Sequence, residues 1–235
     1  WNVARVSQGI VTVSEFSKRR IHEILHVKLE KICVVYNGVA ENLYETSEKE
    51  WKRVRKKYGL PEEYWMCLST LEPRKNLQLL LKAYIQICEE RECPCALVLA
   101  GRKGWKMGKI LDEIPSVYKK KIIFTGYVEE NDLADIYRHS KLFVFPSLYE
   151  GFGIPPLEAM AVGCPVLSSD ADAMKEVLSG EVEYFQNNNI DSLKEKLILC
   201  LEKEPEAEDR TRLIEYSKKF AYNRTILRLF EFLGF

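Results

Sequence analysis

The chain has 235 residues, 46% of them hydrophobic, with 35 Lys+Arg against 35 Asp+Glu. That is enough to bury a full core, as one large domain or one domain plus a fragment. The charge balance excludes a net positive field for nucleic acid or an anionic membrane surface, so any anion site must be local.

In chain order, IVTVS at 10–14 predicts a short strand, and Ser14 or Ser17 caps a helix running to about His26. ICVVY at 32–36 predicts a buried strand ending in the turn pair Asn37-Gly38. A polar stretch and a charged helix near 48–58, closed by Gly59, read as a hinge or linker into a new unit. From Tyr64, strands at about 65–69, 96–100, 122–125, 142–146 and 165–168 alternate with helices near 76–90, 131–139, 155–162 and 172–179. Such alternation predicts an α/β fold, a doubly wound parallel sheet with helices on both faces. ALVLA and LFVF are continuously apolar, as strands covered on both sides must be. Ligands are expected at the carboxyl ends of the strands. Long helical patterns at 190–203 and 206–234 finish the chain, and no internal repeat is visible.

The seven cysteines (33, 67, 88, 93, 95, 164 and 200) are odd in number and sit mostly in apolar runs, so they read as reduced and buried in the cytoplasm. Cys93 and Cys95 form a CPC without a second Cys/His pair at zinc-finger spacing, so a loop before a strand is expected there, not a metal site. No apolar run reaches the ~18 residues of a membrane span and no signal peptide is visible. A soluble protein is expected, with at most peripheral contact at the inner membrane face. The sequon Asn223-Arg224-Thr225 reads as accidental in a cytosolic chain. Trp1 opens directly onto a structured-looking run, and the expectation is that an upstream segment has been removed.

The stretch SLYEGFGIPPLEAM at 147–160 carries the densest chemistry. It lies in the loop at the carboxyl end of the 142–146 strand. Gly151 and Gly153 permit close backbone approach or φ > 0, and Pro155-Pro156 suit the first turn of a helix. Free N–H groups at that helix start favour a phosphate or another anion. Glu158 is expected in the first turn, where a carboxylate can accept a vicinal diol such as a ribose, and Glu150 can do the same for a second polyol. The plainer alternative is a carboxylate complementing the helix dipole and a solvated loop acid. On the same rim, Ser69-Thr70 is followed by Arg74 and Lys75 before the next helix. Cations at a helix N-terminus oppose its dipole unless an anion shares the site.

YNGV (36–39), LSTLEPRKNLQLLLKAY (68–84), LVLAGRKGW (97–105), FTGYV (124–128), FVFPSLYEGFGIPPLEAMAVGCPVLSSD (143–170) and the acid in KEV (175–177) occur in the order of a known family. Through them, roughly over 32–200, the chain resembles the nucleotide-sugar-binding C-terminal domain of retaining GT-B glycosyltransferases of family 4, near the mannosyltransferase-like branch. The resemblance implies a Rossmann-like half of a GT-B enzyme, with 1–38 a remnant of the N-terminal acceptor domain and hinge. Residues 39–235 would then be the donor-binding domain, and a last helix, about 222–234, would pack back toward the N-terminal domain.

The resemblance also implies the roles of residues. Lys75 with Arg74 would neutralise a diphosphate, and Gly151, Phe152, Gly153 and Ile154 would offer backbone groups to phosphate and sugar. Glu158 would hold the ribose, Glu150 would lie against the transferred sugar, and the backbone around Tyr127 and Val128 would border the base. Many members carry Gly then Arg where this chain has Ser69 and Thr70, and Arg74 would replace that second cation. The reaction implied is metal-independent transfer with retention from a UDP- or GDP-sugar to a hydroxyl acceptor, a glycan or lipid-linked sugar, in polysaccharide or glycolipid synthesis. No cofactor is implied, and the missing N-terminal domain would be the partner needed for turnover. Asp170-Ala171-Asp172 mimics the Asp-x-Asp of an unrelated metal-binding fold, yet reads here as a capping turn. The same architecture also serves a nucleotide-sugar epimerase, a non-catalytic nucleotide-sugar-binding subunit needing a partner chain, or an interaction domain that has lost its ligand.

Overall fold

The computed structural model describes residues 4, 6–44, 48–70, 72–102, 114–202 and 206–234. The first unit is strand β1 (Ile10–Thr12), helix α1 (Glu15–Leu25) and strand β2 (Ile32–Val34), with the two strands parallel. Ser14 caps α1 by accepting the Ser17 N–H at 2.9 Å, and His26 ends it in the left-handed region. Helix α2 (Glu48–Tyr58) follows, closed by Gly59 at φ +62°.

The main sheet is built from β3 (Tyr64–Leu68), β4 (Ala96–Ala100), β5 (Ile122–Gly126), β6 (Leu142–Phe145), β7 (Val166–Ser169) and β8 (Glu183–Phe185). Their order is β5-β4-β3-β6-β7-β8 and every neighbouring pair is parallel. Between the strands run α3 (Leu77–Glu90), α4 (Glu130–Arg138), α5 (Ile154–Ala161) and α6 (Asp172–Leu178), with α7 (Ile190–Glu202), α8 (Ala207–Ser217) and α9 (Tyr222–Leu233) after β8. The expected doubly wound α/β sheet is therefore the fold observed. The pleat divides its apolar residues between two layers. Trp65, Cys67, Leu97, Leu99 and Val144 pack with α3 and α7, whereas Tyr64, Met66, Val98, Phe143 and Phe145 pack with α4, α5, α6 and α8.

The 206–234 pattern resolves into two helices separated by a tight turn at Lys218–Phe220 and an extended Ala221, the second being the last helix expected at about 222–234. The break is made by Val39, whose N–H donates to Phe220 O at 2.7 Å and which bridges Ala221 in parallel. Asn37-Gly38 makes no turn; the chain runs on to that bridge, and Gly38 is needed because the Tyr222 ring lies 2.3 Å from where a Cβ would stand. Nor are all cysteines reduced. Cys88 and Cys93 are joined in a disulfide, because α3 ends at Glu90 and the chain folds back to bring their Cα atoms within 4.4 Å. Cys67, Cys95 and Cys164 are buried thiols that burial pushes up to about 12, so they stay protonated core groups. Cys95 directly precedes β4, as the loop reading of CPC requires. Among the described residues no helix is long and apolar enough to cross a membrane.

Candidate functional site

Strand order reverses between β3 and β6: β4 and β5 extend to one side, β7 and β8 to the other. The crevice outside the carboxyl ends of such a pair is where doubly wound sheets take ligands. Residues 69–70 and 72–76 after β3 meet there with the loop 146–153 after β6, and the Leu148 N–H donates to Arg74 O at 2.8 Å.

The charged groups expected on the rim are in contact. Lys75 Nζ donates to Glu150 Oε1 at 2.6 Å and Arg74 to Glu150 Oε2 at 2.9 Å. Lys75 also lies 5.3 Å from the centre of the Phe145 ring, a cation–π contact at the end of β6. Arg74 and Lys75 occupy a short 3-10 turn, Pro73–Lys75, and Asn76 at φ +52° leads into α3. The Thr70 hydroxyl donates to Glu72 at 3.1 Å and is exposed at the edge of the cluster.

The glycine loop then turns into α5. Gly153 is its N-cap at φ +91°, so the turn requires glycine, and a Cβ there would lie 2.4 Å from Met174 Cε, the flexible end of a side chain that would have to shift. Pro155 and Pro156 fall in the first turn as expected. Phe152 is a core residue, packed on Tyr36 and Phe220, which leaves only its backbone for a ligand. Ile154 opens α5, so Glu158 is the fifth helical residue and not in the first turn as expected. A dipole-complementing role is weaker one turn in. Instead Glu158 accepts a hydrogen bond from the buried Tyr137 hydroxyl at 2.9 Å. Burial outweighs that bond and holds the Glu158 carboxyl above its ordinary 4.5.

Tyr127 and Val128 follow β5 on the same rim, two strands from β3. Val128 is buried; the Tyr127 ring is exposed and lies under the Arg102 guanidinium at 4.7 Å. Asp170 does not cap α6. The N-cap is Ala171, without a side-chain cap, and Asp170 instead accepts the Asn187 N–H at 2.7 Å and pairs with Lys175 at 3.1 Å. Asn187 donates in turn to Leu148 O at 2.9 Å, and Ser169 to Ser147 O at 2.6 Å, so the ends of β7 and β8 hold the loop after β6.

A cavity of about 180 Å³ adjoins Glu150, lined by Phe16, Tyr149, Asp170, Asp172 and Asn187 among others. A larger one, about 530 Å³, lies by the amino ends of β6, β7 and β8, away from every residue above. The smaller cavity has the position that the topology favours. Among the described residues no group of three or more His, Cys, Asp or Glu side chains is placed to hold a metal ion. Tyr137, Glu176, Ser14 and Ser17 touch this site and carried no sequence signal of doing so, apart from Glu176 as the acid of KEV.

A doubly wound parallel sheet with two cations, a carboxylate and a glycine-rich loop at its switch point places the chain among the Rossmann-like α/β proteins. Residues 49–220 match the model of the family described as Glycosyl transferases group 1, and the chain belongs to that family. It is 29% identical over 225 residues to the serotype-specific mannosyltransferase WbdA of Escherichia coli, covering 93% of this chain and 28% of that protein. It is 31% identical over 216 residues to O-antigen chain mannosyltransferase B of Escherichia coli, covering 91% and 57% respectively. The chain thus spans between about a quarter and three fifths of these relatives. Among solved structures, Anabaena Alr3699/HepE in complex with UDP superposes with a TM-score of 0.83 at 19% identity, over 99% of this chain and 65% of that one. Sucrose-phosphate synthase of Thermosynechococcus elongatus gives 0.81 at 18% identity, over 99% and 59%. The expected fold, the Rossmann-like half of a GT-B glycosyltransferase, is the fold found.

Proposed function

We propose that the chain is the donor-binding part of a retaining, metal-independent glycosyltransferase that moves a sugar from a UDP- or GDP-sugar to a hydroxyl of a glycan or lipid-linked acceptor. The observation that carries this reading is the convergence of Lys75 and Arg74 on Glu150 beside the Gly151–Gly153 loop and the start of α5. Cations and the amides of the loop leading into α5 favour a diphosphate there. The UDP in the Alr3699/HepE complex, and the mannosyltransferase names of the relatives in Escherichia coli, support it.

Lys75, Arg74 and the amides of Gly151–Ile154 take the diphosphate, Glu158 the ribose, and Glu150 the transferred sugar. The backbone of Tyr127 and Val128 borders the base, and Thr70 flanks the phosphates. Catalysis is mainly electrostatic: as the diphosphate leaves the anomeric carbon, its growing charge is met by cations and amides already in place. The acceptor hydroxyl attacks from the face the leaving group vacates and gives its proton to the departing phosphate oxygen, which retains configuration. Glu150 and Glu158 bind and orient. In this reading they do not act as acid and nucleophile, unlike the paired carboxylates of retaining glycosidases.

In this reading residues 1–38 belong to an acceptor-binding domain and hinge, and 39–235 form the donor domain. α9 packs toward the first unit, with Phe232 against Gly9. In this reading the enzyme acts in polysaccharide or glycolipid synthesis, and the donor-binding part alone does not turn over. The test is a transfer assay of the whole protein with UDP- and GDP-sugars, reading product anomer by NMR. A retained anomer, lost in Lys75→Ala and Glu150→Gln, supports the reading; an inverted product or a strict metal requirement contradicts it.

A further inference from the structure

Two hydroxyls from the first unit close on one carbonyl of the glycine loop. Ser14 Oγ donates to Gly151 O at 2.6 Å, and Ser17 Oγ to the same oxygen at 3.2 Å, across 137 and 134 residues of chain. Ser14 is wholly buried and doubles as the cap of α1. From the other side Glu176, on α6, anchors that cap. Its two carboxylate oxygens accept the Glu15 and Phe16 N–H groups, each at 2.7 Å, and Tyr36 donates to it at 3.2 Å. These first-turn amides of α1 have no partner within their own helix, so an acid reaching them from another element fixes the helix end firmly. The Phe16 ring completes the contact edge-on to Tyr149, 5.4 Å between centres. The approach is close enough that a Cβ on Gly151 would meet Ser17 Oγ at 3.4 Å.

The peptide after Gly151 is trans, like every described bond in the chain. Its C=O and N–H point in opposite directions. With the carbonyl held toward α1, the Phe152 N–H is turned away from α1. We propose that Ser14, anchored through Glu176, is a positioning residue: it sets the Gly151–Phe152 peptide so that the loop's amides are presented to the donor's diphosphate, and so couples the first unit to the donor loop. The phosphate half of this proposal rests on the nucleotide-sugar reading above; the positioning of the peptide stands apart from it.

The test uses the 235-residue chain with Ser14→Gly, which suits a helix cap but lacks the hydroxyl, Glu176→Gln, and Ser17→Ala, which leaves the Ser14 cap in place. Amide exchange is read first, without nucleotide. Amides at 151–154 are expected to exchange about tenfold faster in Ser14→Gly and Glu176→Gln, and less so in Ser17→Ala, against unchanged rates in β3 and β4. Each variant is then titrated with uridine, guanosine, UDP and GDP. Nucleoside affinity is expected to hold while diphosphate affinity falls about tenfold, a split that general loosening would not produce. Unchanged exchange at 151–154 overturns the proposal. So does faster exchange with diphosphate binding equal to wild type, or an equal loss for nucleoside and diphosphate. Faster exchange in the variants, with a wild type that binds no nucleotide at all, overturns the donor-site reading and the phosphate half with it, while leaving the peptide clamp.

Discussion

Lys75 Nζ and Glu150 Oε1 stand 2.6 Å apart although 75 residues separate them, and each side chain is only 10% exposed. The pair joins the loop after β3 to the loop after β6 across the point where strand order reverses, and Arg74 gives the same carboxylate a second cation at 2.9 Å. Two such loops are held in register by charge as well as by the Leu148–Arg74 backbone bond.

Removing one side of this buried pair should therefore cost stability as well as binding. Lys75→Met is expected to lower unfolding free energy by roughly 2–3 kcal/mol, short of a fully orphaned charge because Arg74 remains. Lys75→Met with Glu150→Leu should recover more than half of the loss. Urea denaturation of the four members of this cycle gives the coupling, and simple additivity would mean that the pair is only a close approach.

Two glycines on the rim differ in what they would strike. A Cβ on Gly101, at φ +134°, would lie 2.0 Å from Ser69 O, a backbone atom at the end of β3. On Gly153 it would meet the flexible end of Met174. Gly101→Ala is expected to cost about 3 kcal/mol or more, and Gly153→Ala less, close to the strain of its positive φ. Thermal melts of the two variants check the order, and the reverse order would contradict the packing described.

Asp132 ties α4 to α2. Burial by itself would raise its carboxyl, yet hydrogen bonds from Arg53, Lys57 and Tyr58 outweigh burial and bring it from 3.8 down to about 2. The folded chain then holds this proton less tightly than the unfolded chain does. The stability it contributes is complete above about pH 4 and is lost as pH falls toward 2. Asp132→Asn should flatten that part of the acid limb and cost about 1–2 kcal/mol at neutral pH, a discounted figure because Arg53 and Lys57 are partly exposed. Acid titrations of stability for wild type and variant measure both effects.

Glu158 has the opposite sign. Its carboxyl sits above 4.5 through burial, so ionising it costs folding stability as pH rises through the unfolded value to the higher folded one. Ribose hydroxyls donate best to the ionised form. Nucleoside binding is therefore expected to weaken on acidification already above pH 4.5, with Glu158→Gln removing this limb. Tyr137→Phe, which deletes a hydrogen bond favouring the carboxylate, should move the limb to higher pH. A pH series of nucleoside titrations reads all three, and a limb insensitive to Glu158→Gln would sink the ribose assignment.

The sheet was legible because strands buried on both faces leave continuous apolar runs such as LFVF, and because Ser14 and Gly59 mark helix ends by local chemistry. The rim was legible because Glu150 and the glycines lie in one loop that runs directly into the prolines of the first turn of α5. Tyr137 on Glu158 and Glu176 on the α1 amides were not, since such pairs form only when separate elements cross, here 21 and 160 residues apart. The break after α8 does not show in the periodic pattern, because Val39, far upstream, makes it, and only the resemblance marked the last helix at about 222–234. Likewise the apolar setting of the cysteines hid the Cys88–Cys93 pairing, which depends on where α3 stops.

The most direct measurement is calorimetric titration of the folded chain with UDP, GDP, UDP-glucose and GDP-mannose, with Glu158→Ala and Lys75→Ala alongside. The account predicts that one nucleotide class binds and that both substitutions weaken it, each by about tenfold or more. Binding that neither substitution alters, or a folded wild type that binds none of the four, would contradict the donor site at the β3–β6 switch point.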